Sequence, residues 1–295
     1  MEDFASAAMV RLIHAGLVSQ GLATDMARPG AGAHVSLASK REGVESILAT
    51  HGALALLRIG QIMPEFRDSP LLAAMETART PQELVSRWRR LETYVHSKHR
   101  TEIVDEDARG FTLRHVSIVA RERPLRSEDL LVFGVIIALI QWSGAVGLRA
   151  KPVGDIGWVY DGDWVAEPDA EDCATWHIEW DQVTGDAHDV DAGQSSPTLA
   201  DLIRMDPIRR WTLAEAAKQL VTSPRSLQRR LQSTETTFSK VAADVRAAHA
   251  VRLLDTTDMS LAEIGFLSGY SDQAHFTRCF KRAMAVSPLS YRRKA

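Results

Sequence analysis

From Ser260 to Phe280 the apolar positions change phase once. Leu261, Ile264 and Leu267 recur at helical spacing, and after Gly269 that spacing restarts with Phe276, Cys279 and Phe280. Ser260 and Glu263 stand three residues apart, so the hydroxyl can accept the Glu263 N–H while the carboxylate reaches back. Gly269 falls where a left-handed residue closes a helix, and Ser271 or Asp272 can open the next. The pattern predicts a helix, a tight turn and a second helix that turns Gln273, Ala274, Thr277 and Arg278 outward.

A degenerate copy precedes it. Thr212 and Glu215 match Ser260 and Glu263 at an offset of 48 residues, and Leu227 and Arg229 match Phe276 and Arg278 at 49, so the second turn is one residue longer. Ser223 is placed to cap, and Pro224 takes the first helical position, where its missing N–H costs nothing. Arg225, Gln228 and Arg229 then project together. Between the copies Phe238, Val241, Val245 and Ala248 mark a connecting helix to about Leu254, roughly 16 residues and about 24 Å long.

Upstream, Phe4 to Gln20, Val44 to Arg58 and Leu84 to Lys98 show helical spacing, the last opening at Thr80-Pro81 with Glu83 behind it. Phe111 to Arg121 alternates imperfectly through Phe111, Leu113, Val116, Ile118 and Ala120, which predicts a strand. Leu130 to Leu148 carries no charge over 19 residues, about the length of a membrane span. Gln141, Ser143 and the glycines interrupt it, and its strongly apolar part covers only about ten residues. A buried core helix is expected at the centre of an N-terminal domain, with no membrane association.

A chain of 295 residues suggests two domains, and 45% apolar with 25% charged residues is ordinary globular composition. The net charge of −3 hides an asymmetry: from Thr198 onward 16 Lys and Arg face 9 Asp and Glu, a formal +7, and the rest of the chain carries −10. The basic end suits nucleic acid. Apolar content falls and Gly, Ser and Pro collect between Asp186 and Pro197. The expected organisation is an acidic domain over 1–185, a linker over 186–197 and a basic domain suited to nucleic acid over 198–295. Cys173 and Cys279 provide no disulfide framework, and MEDFASAAMVRLIHAG has no secretion pattern, so a reducing, cytoplasmic setting is expected.

Gln and Arg can bond bidentately to adenine and guanine edges, whereas Lys281 and Arg282 suit phosphates. A solvated helix face would look similar, but the duplication of caps, core positions and outward Arg favours a recognition surface. In SPRSLQRRL, SLAEIGFLSGYSDQAHFTRCFK and VSPLSYRR the last hundred residues resemble the DNA-binding domain of AraC/XylS-type bacterial transcription regulators. The resemblance implies two helix-turn-helix units. Arg225, Gln228 and Arg229 would read bases in one groove segment, and Gln273, Ala274, His275, Thr277 and Arg278 in the next. His275 is equally placed to pack beside Phe276. Ser223, Ser226, Arg230, Ser271, Lys281 and Arg282 would hold phosphates. The implied partners are double-stranded promoter DNA, RNA polymerase for an activator, and a second copy in a homodimer. Val221, Glu235 and Ala285 stand where the family usually has Gly at helix ends, and strain at a β-branched residue predicts another backbone geometry for the first turn.

The layout of Ala5 to Trp180 resembles the arabinose-binding-like effector domain of such regulators, which implies a small-molecule effector; Tyr94, Phe133, Trp142 and Trp158 are the candidate ligand contacts. Trp158, Trp164, Trp176 and Trp180 lie among Asp161, Asp163, Glu167, Asp169, Glu171 and Asp172, chemistry suited to a cation, although packed tryptophans beside a solvated acidic loop are the favoured reading. Cys173 and His177 lack a second ligand pair for a metal. No Gly-rich phosphate loop, GxSxG or HExxH occurs, and His96 and His99 have no partnered nucleophile, so neither an enzyme nor a cofactor is expected. The expected fold is mainly α: an α+β effector domain followed by an all-α domain with two helix-turn-helix units on a linker helix. The expected function is a ligand-responsive transcription regulator; the alternative makes the N-terminal domain an oligomerisation or protein-interaction module without a metabolite.

Overall fold

The computed structural model describes residues 4–5, 7–26, 35–66, 75, 77–95, 98–184 and 197–293. The chain divides into two compact units, Met1–Ala187 and His188–Ala295. The first mixes helices with sheet and the second is all helical, so the fold is mainly α with an α+β N-terminal region. The linker read over 186–197 lies outside the described residues except for Pro197, as does His96.

The first unit contains helices α1 (Ala7–Ser19), α2 (Leu37–His51), α3 (Ala53–Leu57), a 3₁₀ stretch (Arg58–Phe66), α4 (Pro81–Val95) and α5 (Arg126–Trp142). Its strands are β1 (Phe4–Ala5), β2 (Val35–Ser36), β3 (His99–Glu106), β4 (Gly110–Ser117), β5 (Ala145–Val146), β6 (Arg149–Pro152), β7 (Tyr160–Asp161), β8 (Thr175–Glu179) and β9 (Gln182–Val183). An antiparallel five-stranded sheet runs β3-β4-β8-β6-β7. Successive side chains alternate between its faces, so Phe111 and Leu113 of β4 and Trp176 and Ile178 of β8 are buried.

The uncharged stretch lies in the core helix, α5, only as far as Trp142, and Ala145–Val146 beyond it form β5; within α5 Leu130, Leu131, Phe133, Val135, Ile136 and Ile137 are fully buried. Gly134 permits its close crossing, because a Cβ there would overlap the Leu57 carbonyl oxygen. Among the described residues no helix is long and apolar enough to cross a membrane.

Several boundaries differ from the hydrophobic pattern: the helix expected from Phe4 begins at Ala7, and Phe4–Ala5 form β1. The strand expected to reach Arg121 ends at Ser117, and Ile118 and Val119 lie exposed in a turn that continues to Arg121 at φ 68°. The buried position after Leu113 is His115, a polar residue the alternation passed over. The helix expected over 44–58 breaks at Gly52, whose φ of 80° leaves the helical region.

The second unit contains α6 (Leu199–Met205), α7 (Leu213–Gln219), α8 (Pro224–Ser233), α9 (Phe238–Thr256), α10 (Leu261–Leu267), α11 (Gln273–Met284) and α12 (Pro288–Arg292). Two small cores share α9. Leu199, Ile203, Ala216, Ala217 and Leu227 close around Ala242, while Ile264, Tyr270, Phe276 and Phe280 close around Ala250 and Leu254. The connecting helix is therefore a spine: its 19 residues extend about 28 Å, and each half belongs to a different core.

Candidate nucleic-acid interface

The first helix of each helix-turn-helix pair, α7 and α10, begins with a reciprocal cap. Thr212 Oγ1 accepts the Glu215 N–H at 3.2 Å while the Glu215 carboxylate accepts the Thr212 N–H at 2.9 Å. Ser260 and Glu263 repeat this at 3.2 and 2.8 Å. The second helix of each half is also capped: Ser223 Oγ accepts the Ser226 N–H at 3.1 Å and Asp272 Oδ1 accepts the His275 N–H at 2.7 Å. Burial of Leu227 rotates α8, and burial of Phe276 and Phe280 rotates α11, so their opposite faces meet solvent.

Those faces carry the candidates. Arg225, Gln228, Arg229 and Arg230 of α8 are exposed, as are Gln273, Ala274, Thr277, Arg278, Lys281 and Arg282 of α11. Among the described residues no hydrogen bond or ion pair engages the side chains of Arg225, Gln228, Arg229 or Arg278. Their donors are available to an outside acceptor.

Other candidates have internal partners. His275 is half-buried; its ring meets Tyr270 edge-on at 5.6 Å, and its Nδ1 lies 2.9 Å from Ser271 Oγ. Ser271 Oγ also lies 2.9 Å from an Asp272 carboxylate oxygen. The Thr277 hydroxyl donates to the Gln273 carbonyl at 2.9 Å, and the half-buried Ser226 hydroxyl sits 2.9 Å from Ser223 Oγ. The hydrogen bond from the His275 N–H, ahead of other causes, holds the Asp272 carboxyl below its ordinary pKa.

The expectation of a different geometry for the first turn is overturned. Val221, Glu235 and Ala285 adopt φ of 49°, 53° and 62°, in the left-handed region that Gly269 occupies at 77°. The hydrogen bonds also correspond: Val221 N–H donates to Lys218 and Thr222 N–H to Ala217, as Gly269 donates to Phe266 and Tyr270 to Gly265. Val221 is 94% exposed, so its side chain meets no packed neighbour, and the backbone closure outweighs a strain of roughly 1–2 kcal/mol.

In the first unit the four aromatic candidates do not line one cavity. Phe133 is buried and stacks on Trp176 at 5.4 Å, and Tyr94 is also buried. Trp158 is half-buried on the other face of the sheet, where His177 stacks on it at 6.1 Å and Arg149 and Lys151 lie over its ring at 5.5 and 5.3 Å. Phe133 and Trp158 are separated because Trp176 and His177 are consecutive on β8 and point to opposite faces. Trp142 is half-buried at the end of α5. Trp164, Trp176 and Trp180 are packed, and the protein's own cations occupy the Trp158 face. Cys173 is buried and its thiol donates to the Ala170 carbonyl, while His177 Nε2 lies 3.3 Å from Glu179. Burial pushes the Cys173 thiol up to about 11.

The sequence pattern missed a buried polar cluster at the start of α5. Glu128 is fully buried, with Arg41 Nε at 3.1 Å, and Lys40 Nζ and His99 Nδ1 each at 3.8 Å. His115 Nδ1 lies 2.7 Å from Asp129 Oδ1, and the His99 and His115 rings meet edge-on at 5.0 Å. Burial lowers both imidazoles to about 3. Burial also opposes the Glu128 charge, but Lys40 and the Arg41 hydrogen bond hold its pKa below the ordinary value. The ion-pair partners of Glu128 come from α2 and β3, and that of Asp129 from β4, so no local spacing marks the cluster.

Residues 216–294 match a family described as a helix-turn-helix domain. Over 93 residues the chain is 34% identical to the transcriptional regulator SirC of Salmonella typhimurium, covering 32% of this chain and 32% of that protein. Over 80 residues it is 42% identical to the ornithine utilization regulator of Pseudomonas aeruginosa, covering 27% of this chain and 24% of that protein. A solved DNA-binding transcriptional dual regulator from Escherichia coli K-12 aligns at TM-score 0.32 and 25% identity, over 33% of this chain and 93% of that one. The chain spans about a third or less of the length of these two curated relatives.

Proposed function

We propose that this chain, whose C-terminal unit is a helix-turn-helix domain of the AraC type, is a sequence-specific DNA-binding transcription regulator with a small-molecule-responsive N-terminal unit. One observation carries the reading: two capped, core-anchored helices on a shared spine each turn uncommitted Arg and Gln side chains to solvent. In this reading Arg225, Gln228 and Arg229 read one major-groove segment, and Gln273, Ala274, Thr277 and Arg278 read the next, about 34 Å along the duplex. Ser271, ahead of the cap, and His275 in the first turn brace the start of the second helix; Ser223, Ser226, Arg230, Lys281 and Arg282 meet phosphates. The formal +7 from Thr198 onward supports attraction to DNA. The names of the relatives support a regulatory role, in transcription for SirC; promoter DNA, RNA polymerase for an activator and a second copy of the chain are the partners this reading assigns.

The test is selection of bound duplexes from a random pool by the full chain, followed by footprinting. Two protected segments on one face of the duplex are expected, and recovery of no preferred sequence overturns the assignment.

A second reading makes the N-terminal unit an oligomerisation or protein-interaction module. The burial of Tyr94 and Phe133, and the separation of Phe133 from Trp158, favour it over a pocket built from those side chains. Thermal unfolding against a metabolite panel separates the two, because a ligand at a hundred times its Kd adds about 2.7 kcal/mol of apparent stability.

A further inference from the structure

The two turns that close α7 and α10 have the same backbone conformation but different surroundings. Val221 is 94% exposed. Gly269 instead lies against the loop between α6 and α7: a Cβ built there would overlap the Pro207 carbonyl oxygen and come within 2.9 Å of Arg246 Nε. The turn of the second helix-turn-helix half thus rests on a loop that belongs to the first.

That loop is held in shape by its own bonds. Asp206 Oδ1 accepts the Arg209 N–H at 3.2 Å, and the Asp206 carbonyl accepts the Trp211 indole N–H at 2.9 Å. Pro207 and Ile208 are buried, and the Arg209 guanidinium lies over the Trp211 ring at 4.6 Å. From the middle of α9, Arg246 donates to the Arg209 carbonyl at 3.4 Å, while its Nε is buried with no hydrogen-bond partner. Tyr270, beside Gly269, is near enough to interact electrostatically with the same guanidinium. One side chain therefore connects the spine, the loop of the first half and the turn of the second.

We infer that Arg246 and Gly269 form a clamp that fixes α8 and α11 relative to each other, so that the chain reads the spacing between its two DNA half-sites as strictly as the bases. The inference rests on the DNA-binding reading above. Arg246 is a positioning residue, since the half-buried guanidinium is committed to protein atoms. The physical basis is helical phase: each base pair inserted between half-sites rotates the far one by about 35° and moves it by about 3.4 Å. A clamped pair of helices cannot follow that rotation. An unclamped pair, joined only through α9, can follow part of it.

The experiment uses the full chain and the duplex recovered by its own selection, with one or two base pairs inserted or deleted between the protected segments. Wild-type affinity is expected to fall at least about tenfold for each altered spacing, equivalent to about 1.4 kcal/mol. In Arg246→Met and Gly269→Ala the affinity for the original spacing falls, the penalty for altered spacing shrinks severalfold, and the base preferences within each half-site persist. If Arg246→Met or Gly269→Ala loses its circular-dichroism helix signal, Arg246→Lys, which keeps stem and charge but loses the planar fork, is used and the same smaller penalty is expected. A folded variant that retains the wild-type spacing penalty, or loses affinity equally for every spacing, overturns the clamp. Failure of the wild-type chain to select any duplex overturns the DNA-binding reading instead.

Discussion

Asp272 Oδ1 accepts the His275 N–H at 2.7 Å, and this bond opens the helix that carries Gln273 and Arg278. Asp272→Ala removes the cap and is expected to cost about 0.5–2 kcal/mol, read as a lower urea midpoint with unchanged slope. Because the folded carboxyl has a lowered pKa, its stabilisation is complete above the unfolded value near about 4 and is lost as pH falls through the folded one. The difference between wild type and Asp272→Ala should therefore narrow as pH drops below about 4; a constant gap would mean that the carboxylate is not the source.

Arg229→Ala and Arg278→Ala should each relax base preference within one half-site, by about 1–3 kcal/mol of discrimination, and leave the other half-site intact. Footprints and selected sequences identical to wild type in both variants would remove α8 and α11 from the grooves.

Lys281→Ala is expected to weaken binding to all duplexes similarly and to reduce the slope of log affinity against log salt by about 0.9. A change confined to one sequence would make Lys281 a base contact.

Val221→Gly tests the strained turn. Relief of roughly 1–2 kcal/mol of left-handed strain is partly offset by the greater freedom of glycine in the unfolded chain, so a net gain of up to about 1 kcal/mol is expected. Calorimetry that finds the variant less stable would assign the exposed valine a contact in the folded protein.

Glu128→Ala leaves Lys40 and Arg41 without their buried acid and should destabilise the N-terminal unit by about 3–5 kcal/mol in chemical denaturation. Burial lowers His99 and His115 to about 3 in the folded chain, so their contribution is complete above the unfolded value of about 6.5 and is lost as pH drops from there towards 3. Burial raises Asp129 to about 8 and Glu92 to about 7, and these carboxyls act in the opposite sense, adding stability as pH falls towards about 4. The histidine contribution is therefore read by difference: His99→Gln should lose less stability than wild type, or gain more, between about pH 6.5 and about pH 4, and an identical pH profile would contradict this.

The sequence by itself determined most of the second unit. Ser260 with Glu263, and Thr212 with Glu215, announce helix starts through bonds that span three residues; Phe276 and Leu227 reveal buried faces, and therefore exposed ones, through a period of 3.6. These are local relationships, and a chain read in order displays them. Only the tertiary structure decided what surrounds them. The left-handed Val221 is tolerated because nothing packs on it, whereas Gly269 must be glycine because Pro207, 62 residues earlier, returns to its face. The same holds in the first unit: Leu130 to Ile140 declares a buried helix by composition, but the charges gathered around Glu128 come from separate elements, and Trp158 is parted from Phe133 by the sheet. Contacts between residues far apart in sequence leave no periodic trace, because their spacing is set by the path of the intervening chain rather than by the pitch of any one helix or strand.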